Sequence, residues 1–257
     1  MLELKNISKI YNPGLVTEMC LFDGFNFTVN DGEFVSVIGS NGSGKTSMLN
    51  IICGSIPING GDVLINGKSI NNKKDFKRYA NIGRVYQNPS MGNCPNMTIL
   101  ENMSLADNKG KPFGLSFALN KKRFNFYKEQ LAALGLGLED KLHVKMGALS
   151  GGQRQAVSLL MATLTPIDFL ILDEHTAALD PKTAEIIMEL TNKIVTEKKL
   201  TAIMVTHNLR YAVEYGSRLI MMDKGHIILD KQGEEKKSAS IDDILEIFNR
   251  ISIECGN

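Results

Sequence analysis

Apolar and polar residues alternate from Met1 to Ser8 and again over Phe25-Asn-Phe-Thr-Val29, the period of a half-buried strand. Phe34-Val-Ser-Val-Ile38 is instead a continuous β-prone run. It opens into glycines, after which Ser47 to Cys53 carries helical spacing. Asp62-Val-Leu-Ile-Asn66 and Asn81-Ile-Gly-Arg-Val-Tyr86 read as further strands. From Thr98 to Leu164 the spacing becomes helical, with capping-box sequences at Thr98-Ile-Leu-Glu101 and Ser150-Gly-Gly-Gln153. The apolar window Ala156 to Leu164 reads as a buried helix. Strand signals return at Phe169-Leu-Ile-Leu172, Thr201-Ala-Ile-Met-Val-Thr206 and Arg218-Leu-Ile-Met-Met222. Asp180-Pro181 offers an N-cap and an N1 proline for a helix running towards Lys198. Buried strands alternating with helices predict a parallel sheet covered on both faces. Lys231 to Ser240 is charged and expected to be loose, and Ile241 to Ile253 reads as a short terminal amphipathic helix.

Composition narrows the class without choosing a function. The 257 residues suffice for one large α/β domain or two small ones, and 43% hydrophobic with 22% charged residues is ordinary for a soluble globular protein. A formal net charge of +1 offers no basic excess for nucleic acid. Met1-Leu-Glu-Leu-Lys has no apolar run behind it, so no signal peptide is expected. No stretch approaches the roughly 18–20 apolar residues needed to cross a bilayer. Cys20, Cys53, Cys94 and Cys255 are scattered without a CxxC pair, which predicts neither disulfides nor zinc and a reducing compartment.

The chemistry concentrates in three strings. Gly39-Ser40-Asn41-Gly42-Ser43-Gly44-Lys45-Thr46, followed by Ser47, lies between a predicted strand and a predicted helix. Gly39, Gly42 and Gly44 let successive N–H groups curl inward as an anion nest, and the helix adds its positive end. Lys45 would place a cation on the β- and γ-phosphates of ATP, and the Thr46 hydroxyl would ligate Mg²⁺. Phe169-Leu-Ile-Leu-Asp173-Glu174 is a buried strand ending in two acids. Asp173 suits the second Mg²⁺ contact, and Glu174 a general base that polarises the attacking water. Leu149-Ser150-Gly151-Gly152-Gln153 presents a hydroxyl and N–H groups at a helix start, a second anion site.

With that pentapeptide the chain resembles the ATP-binding cassette (ABC) ATPases, whose signature it matches; the resemblance runs from Leu2 to about Asp230. It implies a P-loop NTPase (RecA-like) core with an antiparallel β subdomain and an inserted α-helical subdomain. The core and β subdomain would span 1–88 and 165–230, the helical subdomain 89–164, and a charged linker with a short helix 231–257. In this family the signature serves the nucleotide of an opposite subunit. By the same resemblance Gln87 matches the Q-loop residue that contacts Mg²⁺ and water, and Asp180 the D-loop that crosses the dimer interface. His207 matches the switch histidine at the γ-phosphate, and Tyr11 the aromatic ring stacked on adenine.

Two departures stand out. His175 occupies the place where the family usually has proline after the acidic pair, and Asn12 to Met19 forms a longer loop after Tyr11. Asp107 to Lys128 interleaves Lys109, Lys111, Lys121, Lys122 and Arg123 with Phe113, Phe117, Phe124 and Phe126. It reads as a solvated basic face over core phenylalanines, or as a surface for a membrane partner or anionic headgroups.

The resemblance implies a dimer, of two copies or with a paralogue, closing on two ATP molecules. It further implies separate transmembrane permease subunits, an extracytoplasmic solute-binding protein, and attachment to the cytoplasmic face of the membrane. The expected function is the ATPase subunit of a bacterial importer of a small, amino-acid-like solute. A soluble ABC ATPase of an assembly pathway, such as iron–sulfur cluster formation, is the alternative. A DNA-repair type would carry coiled-coil or zinc insertions, and neither is present in the sequence.

Overall fold

A computed structural model describes residues 1–111, 119 and 121–254. Along the chain the elements are β1 (Leu2–Tyr11), β2 (Met19–Val29), β3 (Phe34–Gly39), α1 (Lys45–Cys53), β4 (Gly60–Ile65), β5 (Lys68–Ser69), α2 (Asp75–Tyr79), β6 (Ile82–Val85), α3 (Ile99–Asp107) and α4 (Phe124–Ala132). There follow α5 (Gly151–Ala162), β7 (Phe169–Asp173), α6 (Pro181–Glu197), β8 (Thr201–Val205), α7 (Leu209–Glu214), β9 (Arg218–Asp223), β10 (His226–Gln232), α8 (Gly233–Lys237) and α9 (Ile241–Glu254). They divide into a first unit of Met1–Ile52, Ile56–Asn71 and Ile203–Asn257, and a second of Cys53–Ser55 with Asn72–Ala202. Each is a mixed α/β body, and among the described residues no helix is long and apolar enough to cross a membrane.

In the first unit an antiparallel sheet is ordered β2-β1-β4-β5. Leu2 and Leu4 are buried at a period of two, and a register shift at left-handed Asn6 lets Ile7 be buried as well. A second ladder sets β3 parallel to β9, from Val35↔Arg218 to Gly39↔Met222. All six residues of β3 are buried, which explains its unbroken apolar run. Behind it Ile38, Ala212, Leu219 and Met221 form a core cluster, completed by Ile244 of α9.

The expectation of a loose segment from Lys231 is corrected here. The turn Lys224-Gly225, both residues left-handed, returns the chain antiparallel to β9 as β10, which reaches Gln232 before α8 begins. Lys236 of α8 is buried and donates to the Val213 carbonyl. Charge misled because Lys231 to Lys237, the end of β10 and all of α8, holds no apolar side chain to give a period.

In the second unit β6 runs parallel to β7, pairing Ile82↔Phe169 through Val85↔Leu172. The helical core gathers Ile99 and Met103 of α3, Tyr127 and Leu131 of α4, Val157 and Leu160 of α5, and Ile187 of α6. Lys109 and Arg123 of the basic segment reach inward, while Lys111 and Lys122 stay exposed. Asp107 is buried and accepts from the Tyr127 hydroxyl at 2.8 Å, pairs with Arg123 and faces Lys111 at 3.7 Å. The Lys109 Nζ donates to the Ile82 carbonyl at 2.6 Å, and burial brings its pKa down to about 8. Phe124 and Phe126 pack against the helical core, whereas Phe113 and Phe117 lie outside the described residues.

Candidate functional site

The phosphate loop runs from the end of β3 into α1, which begins at Lys45, two residues earlier than the helical spacing suggested. Gly39 cannot be replaced without collision: a Cβ there would strike the Met222 carbonyl of β9 and lie 2.9 Å from Ser43 Oγ. At Gly44, with φ 103°, a Cβ would lie 2.8 Å from the Phe22 ring. Lys45 folds back over the loop, its Nζ donating to the carbonyls of Gly39 and Ser40 at 2.8 Å and to Ser43 Oγ at 3.3 Å. The ammonium is therefore held within the loop by two carbonyls and a hydroxyl. Tyr11, half-buried at the end of β1, holds its hydroxyl 3.1 Å from Ser47 Oγ. The Lys9 ammonium lies 4.8 Å from the centre of the same ring. His207 follows β8 and is exposed.

Two residues of this loop's surroundings escaped the sequence reading. Ser40 Oγ donates to Asp223 Oδ1 at 2.6 Å, and the Gly225 N–H donates to the Ser43 carbonyl at 3.0 Å. The β9–β10 turn thus braces the loop from a site some 180 residues along, and only its Lys-Gly turn pair gave a local signal.

In the second unit β6 and β7 run parallel, so Gln87 and the pair Asp173-Glu174 leave the same end of that ladder. Gln87 is exposed, and the preceding carbonyl of Tyr86 accepts from Gln155 Nε2 at 3.1 Å. Asp173 Oδ2 accepts from Arg84 Nη2 at 2.7 Å, a pair whose side chains are 12% and 6% exposed. The Arg84 guanidinium also lies 4.6 Å from the Tyr86 ring centre. Glu174 has φ 49°, a left-handed backbone for a non-glycine residue. His175 behind it is buried, with Nε2 3.1 Å from Thr191 Oγ1.

The signature begins α5 through a reciprocal capping box. The Gln153 N–H donates to Ser150 Oγ, and the Ser150 N–H donates to Gln153 Oε1, both at 3.2 Å. Leu149 is buried, while Ser150 and Gly151 are exposed. Gly152 has a packing reason of its own, because a Cβ there would strike the Thr183 side chain of α6. Arg154, which the sequence reading passed over, ties the loop before the signature by donating to the carbonyls of Met146, Gly147 and Leu149. Asp180 caps α6 by accepting from the Thr183 N–H at 3.1 Å, and Thr183 holds its carboxyl below the usual carboxylate range.

A cavity of about 430 Å³ opens in the second unit, lined among others by Arg84, Tyr86, Met91, Asn93, Leu105 and Lys109. Met91 on its rim is 67% exposed.

Comparison with known proteins adds the family. A family model described as ABC transporter matches residues 22–177. The tyrosine transport ATP-binding protein of Clostridioides difficile is 46% identical over 248 residues, covering 96% of this chain and 98% of that protein. A phosphonates import ATP-binding protein of Lactococcus lactis is 31% identical, covering 95% and 98%. Among solved structures, a dimeric ATP-binding cassette in a post-hydrolysis state with ADP and Pi superposes with a TM-score of 0.76 at 32% identity. It covers 90% of this chain and 98% of that one.

Proposed function

The chain belongs to the ABC transporter family of ATP-binding proteins, and from that premise we propose that it is the ATPase subunit of a bacterial importer for an amino-acid-like solute. It binds ATP, and its hydrolysis is coupled to transport. The observation that carries the solute class is the 46% identity, over nearly the whole of both chains, to a protein named for tyrosine transport.

In this reading Tyr11 stacks on the adenine, and Gly39 to Ser47 enclose the phosphates. The Lys45 ammonium exchanges its contacts with the loop carbonyls for phosphate oxygens. The oxygen donors Thr46, Asp173 and Gln87 match the chemistry of Mg²⁺, which when bound neutralises phosphate charge. Asp173 would hold that cation with its carboxylate oriented by Arg84. Glu174 acts as general base on the attacking water, and His207 meets the γ-phosphate. The signature, Leu149 to Gln153, and Asp180 serve a second copy of the chain or a paralogue. ATP then favours a closed dimer, and hydrolysis releases it.

The membrane side of the cycle needs separate permease subunits and an extracytoplasmic solute-binding protein. The cavity beside Gln87, with exposed Met91 on its rim, suits a cytoplasmic helix of the permease, which would hold the chain at the inner face of the membrane. Glu174→Gln tests the catalytic reading: it should bind ATP, accumulate as a dimer and lose turnover, and retained hydrolysis sinks the assignment. Uptake of labelled tyrosine and other amino acids, lost on deletion of the gene and restored by the intact chain alone, tests the solute class. Unchanged amino-acid uptake in the deletion strain counts against it.

A further inference from the structure

We propose that His175 is a positioning residue that pins the Glu174 turn to helix α6 through a hydrogen bond to Thr191. The proposal rests on the reading of Glu174 as general base. Glu174 directly follows β7, whose five residues are all buried, and takes φ 49°. That conformation costs a non-glycine residue of order 1–3 kcal/mol and persists only where the surroundings impose it. Among the described residues the other non-glycine ones in that region are Asn6, Asn12, Asn66, Lys199 and Lys224. Asparagine tolerates it through its own side-chain bonds, Lys199 follows the end of α6, and Lys224 sits in the β9–β10 turn. Glu174 likewise sits where an element ends, between β7 and a turn, and what packs around that turn must impose the torsion.

Two contacts bear directly on this turn. The Ala177 N–H donates to the Glu174 carbonyl at 2.9 Å, a bond internal to the turn. The second is the His175 ring, 2% exposed, with Nε2 3.1 Å from Thr191 Oγ1. Thr191 has one hydroxyl proton, and its Oγ1 lies 2.7 Å from the Ile187 carbonyl, which can only accept. The proton is therefore committed to Ile187, and Oγ1 must accept from the ring. His175 accordingly carries a proton on Nε2. Thr191 lies in α6, whose N-cap is Asp180. The bond thus ties the Glu174 turn to the helix begun by the D-loop, which a proline at position 175 could not do.

A ring that merely fills space would be replaced without loss by phenylalanine. A pin requires the N–H, which glutamine supplies at about the reach of Nε2. The test measures kcat and KM for ATP in the purified full chain for His175→Phe, His175→Gln, Thr191→Val and the Phe/Val double variant. The pin predicts that His175→Phe and Thr191→Val each lower kcat by roughly five- to tenfold, about one hydrogen bond's worth, with KM within about twofold. The double variant should be no slower than the slower single one, and His175→Gln should stay within about twofold of the parent. Wild-type kcat in Thr191→Val, or equal losses in His175→Gln and His175→Phe, overturns the proposal. Should His175→Phe fold poorly, Thr191→Val, which conserves shape, decides alone. Nitrogen-15 NMR of labelled histidine adds a readout without turnover: a protonated Nδ1 with bare Nε2 also overturns it. Glu174→Gln measured alongside separates the two claims. Turnover there defeats the base assignment, whereas a dead Glu174→Gln beside an unimpaired Thr191→Val defeats only the pin.

Discussion

Replacing Arg84 by methionine should destabilise the nucleotide-free protein more than any surface substitution of the same size. The Arg84–Asp173 pair is closed at 2.7 Å, with the two side chains only 6% and 12% exposed. Removing one partner of a buried pair leaves the other charge uncompensated, at a cost of about 3–5 kcal/mol. The residual exposure of Asp173 argues for the lower end, about 3 kcal/mol, and loss of the cation over the Tyr86 ring adds about 0.5–1 kcal/mol. Each kcal/mol shifts Tm by roughly 2–4 °C in a chain of this size, so Arg84→Met should melt about 7–16 °C lower. Asp173→Asn should also destabilise, since it strands the guanidinium. The double variant Arg84→Met/Asp173→Asn buries no unpaired charge and should regain most of the loss. Thermal unfolding by circular dichroism, without nucleotide, measures all three. A single variant within about 2 °C of the parent, or a double variant showing the sum of the two losses, would refute the reasoning.

Gly39→Ala pushes a methyl into the Met222 carbonyl, backbone that no side-chain rotation can relieve, and should cost about 2 kcal/mol or more together with over tenfold in ATP affinity. Thermal unfolding and titration with a fluorescent ATP analogue read both, and unchanged affinity would count against the loop geometry. Lys109 has its pKa brought down to about 8 by burial, so the unfolded chain holds that proton more tightly than the folded one. The cost is fully present below pH 8 and disappears as pH rises to about 10.5, so the stability of Lys109→Met relative to the parent should fall by about 1–3 kcal/mol across that window. A gap independent of pH would show a hydrated ammonium.

Local signals carried the site and failed where tertiary contact decides. The phosphate loop, the acid-ended strand and the signature are legible because each chemistry is written within a few consecutive residues and bounded by its own strand or cap. Thr98, Ser150 and Asp180 cap their helices as their spacing predicts. The brace on the phosphate loop from Asp223 and Gly225 was illegible, because nothing near Ser40 announces a partner so far along the chain. Arg84 gave no sign either. An arginine inside an otherwise apolar strand reads as an anomaly until the parallel partner β7 brings Asp173 to it. The basic segment keeps Lys111 and Lys122 exposed over packed Phe124 and Phe126, as a solvated face should, while Lys109 and Arg123 find the Ile82 carbonyl and Asp107 only after the helices pack.

The positions where chemistry is assigned coincide with positions where the backbone has least room. Gly39 abuts the Met222 carbonyl, Gly44 abuts the Phe22 ring, and Gly152 abuts Thr183, so these glycines answer to packing as well as to a ligand. This divides the signature. Ser150 and Gly151 remain exposed and able to meet a phosphate, while Gly152 sets how closely α5 approaches α6. Glu174 extends the pattern from space to torsion, with a left-handed backbone beside a buried and hydrogen-bonded ring. Donors and acid are therefore oriented by contacts with strands and helices already in place, and binding need not supply the free energy of ordering them. A single added carbon at such a point should act on nucleotide handling and on stability together, whereas truncating an exposed side chain of the same motif should act on nucleotide handling alone.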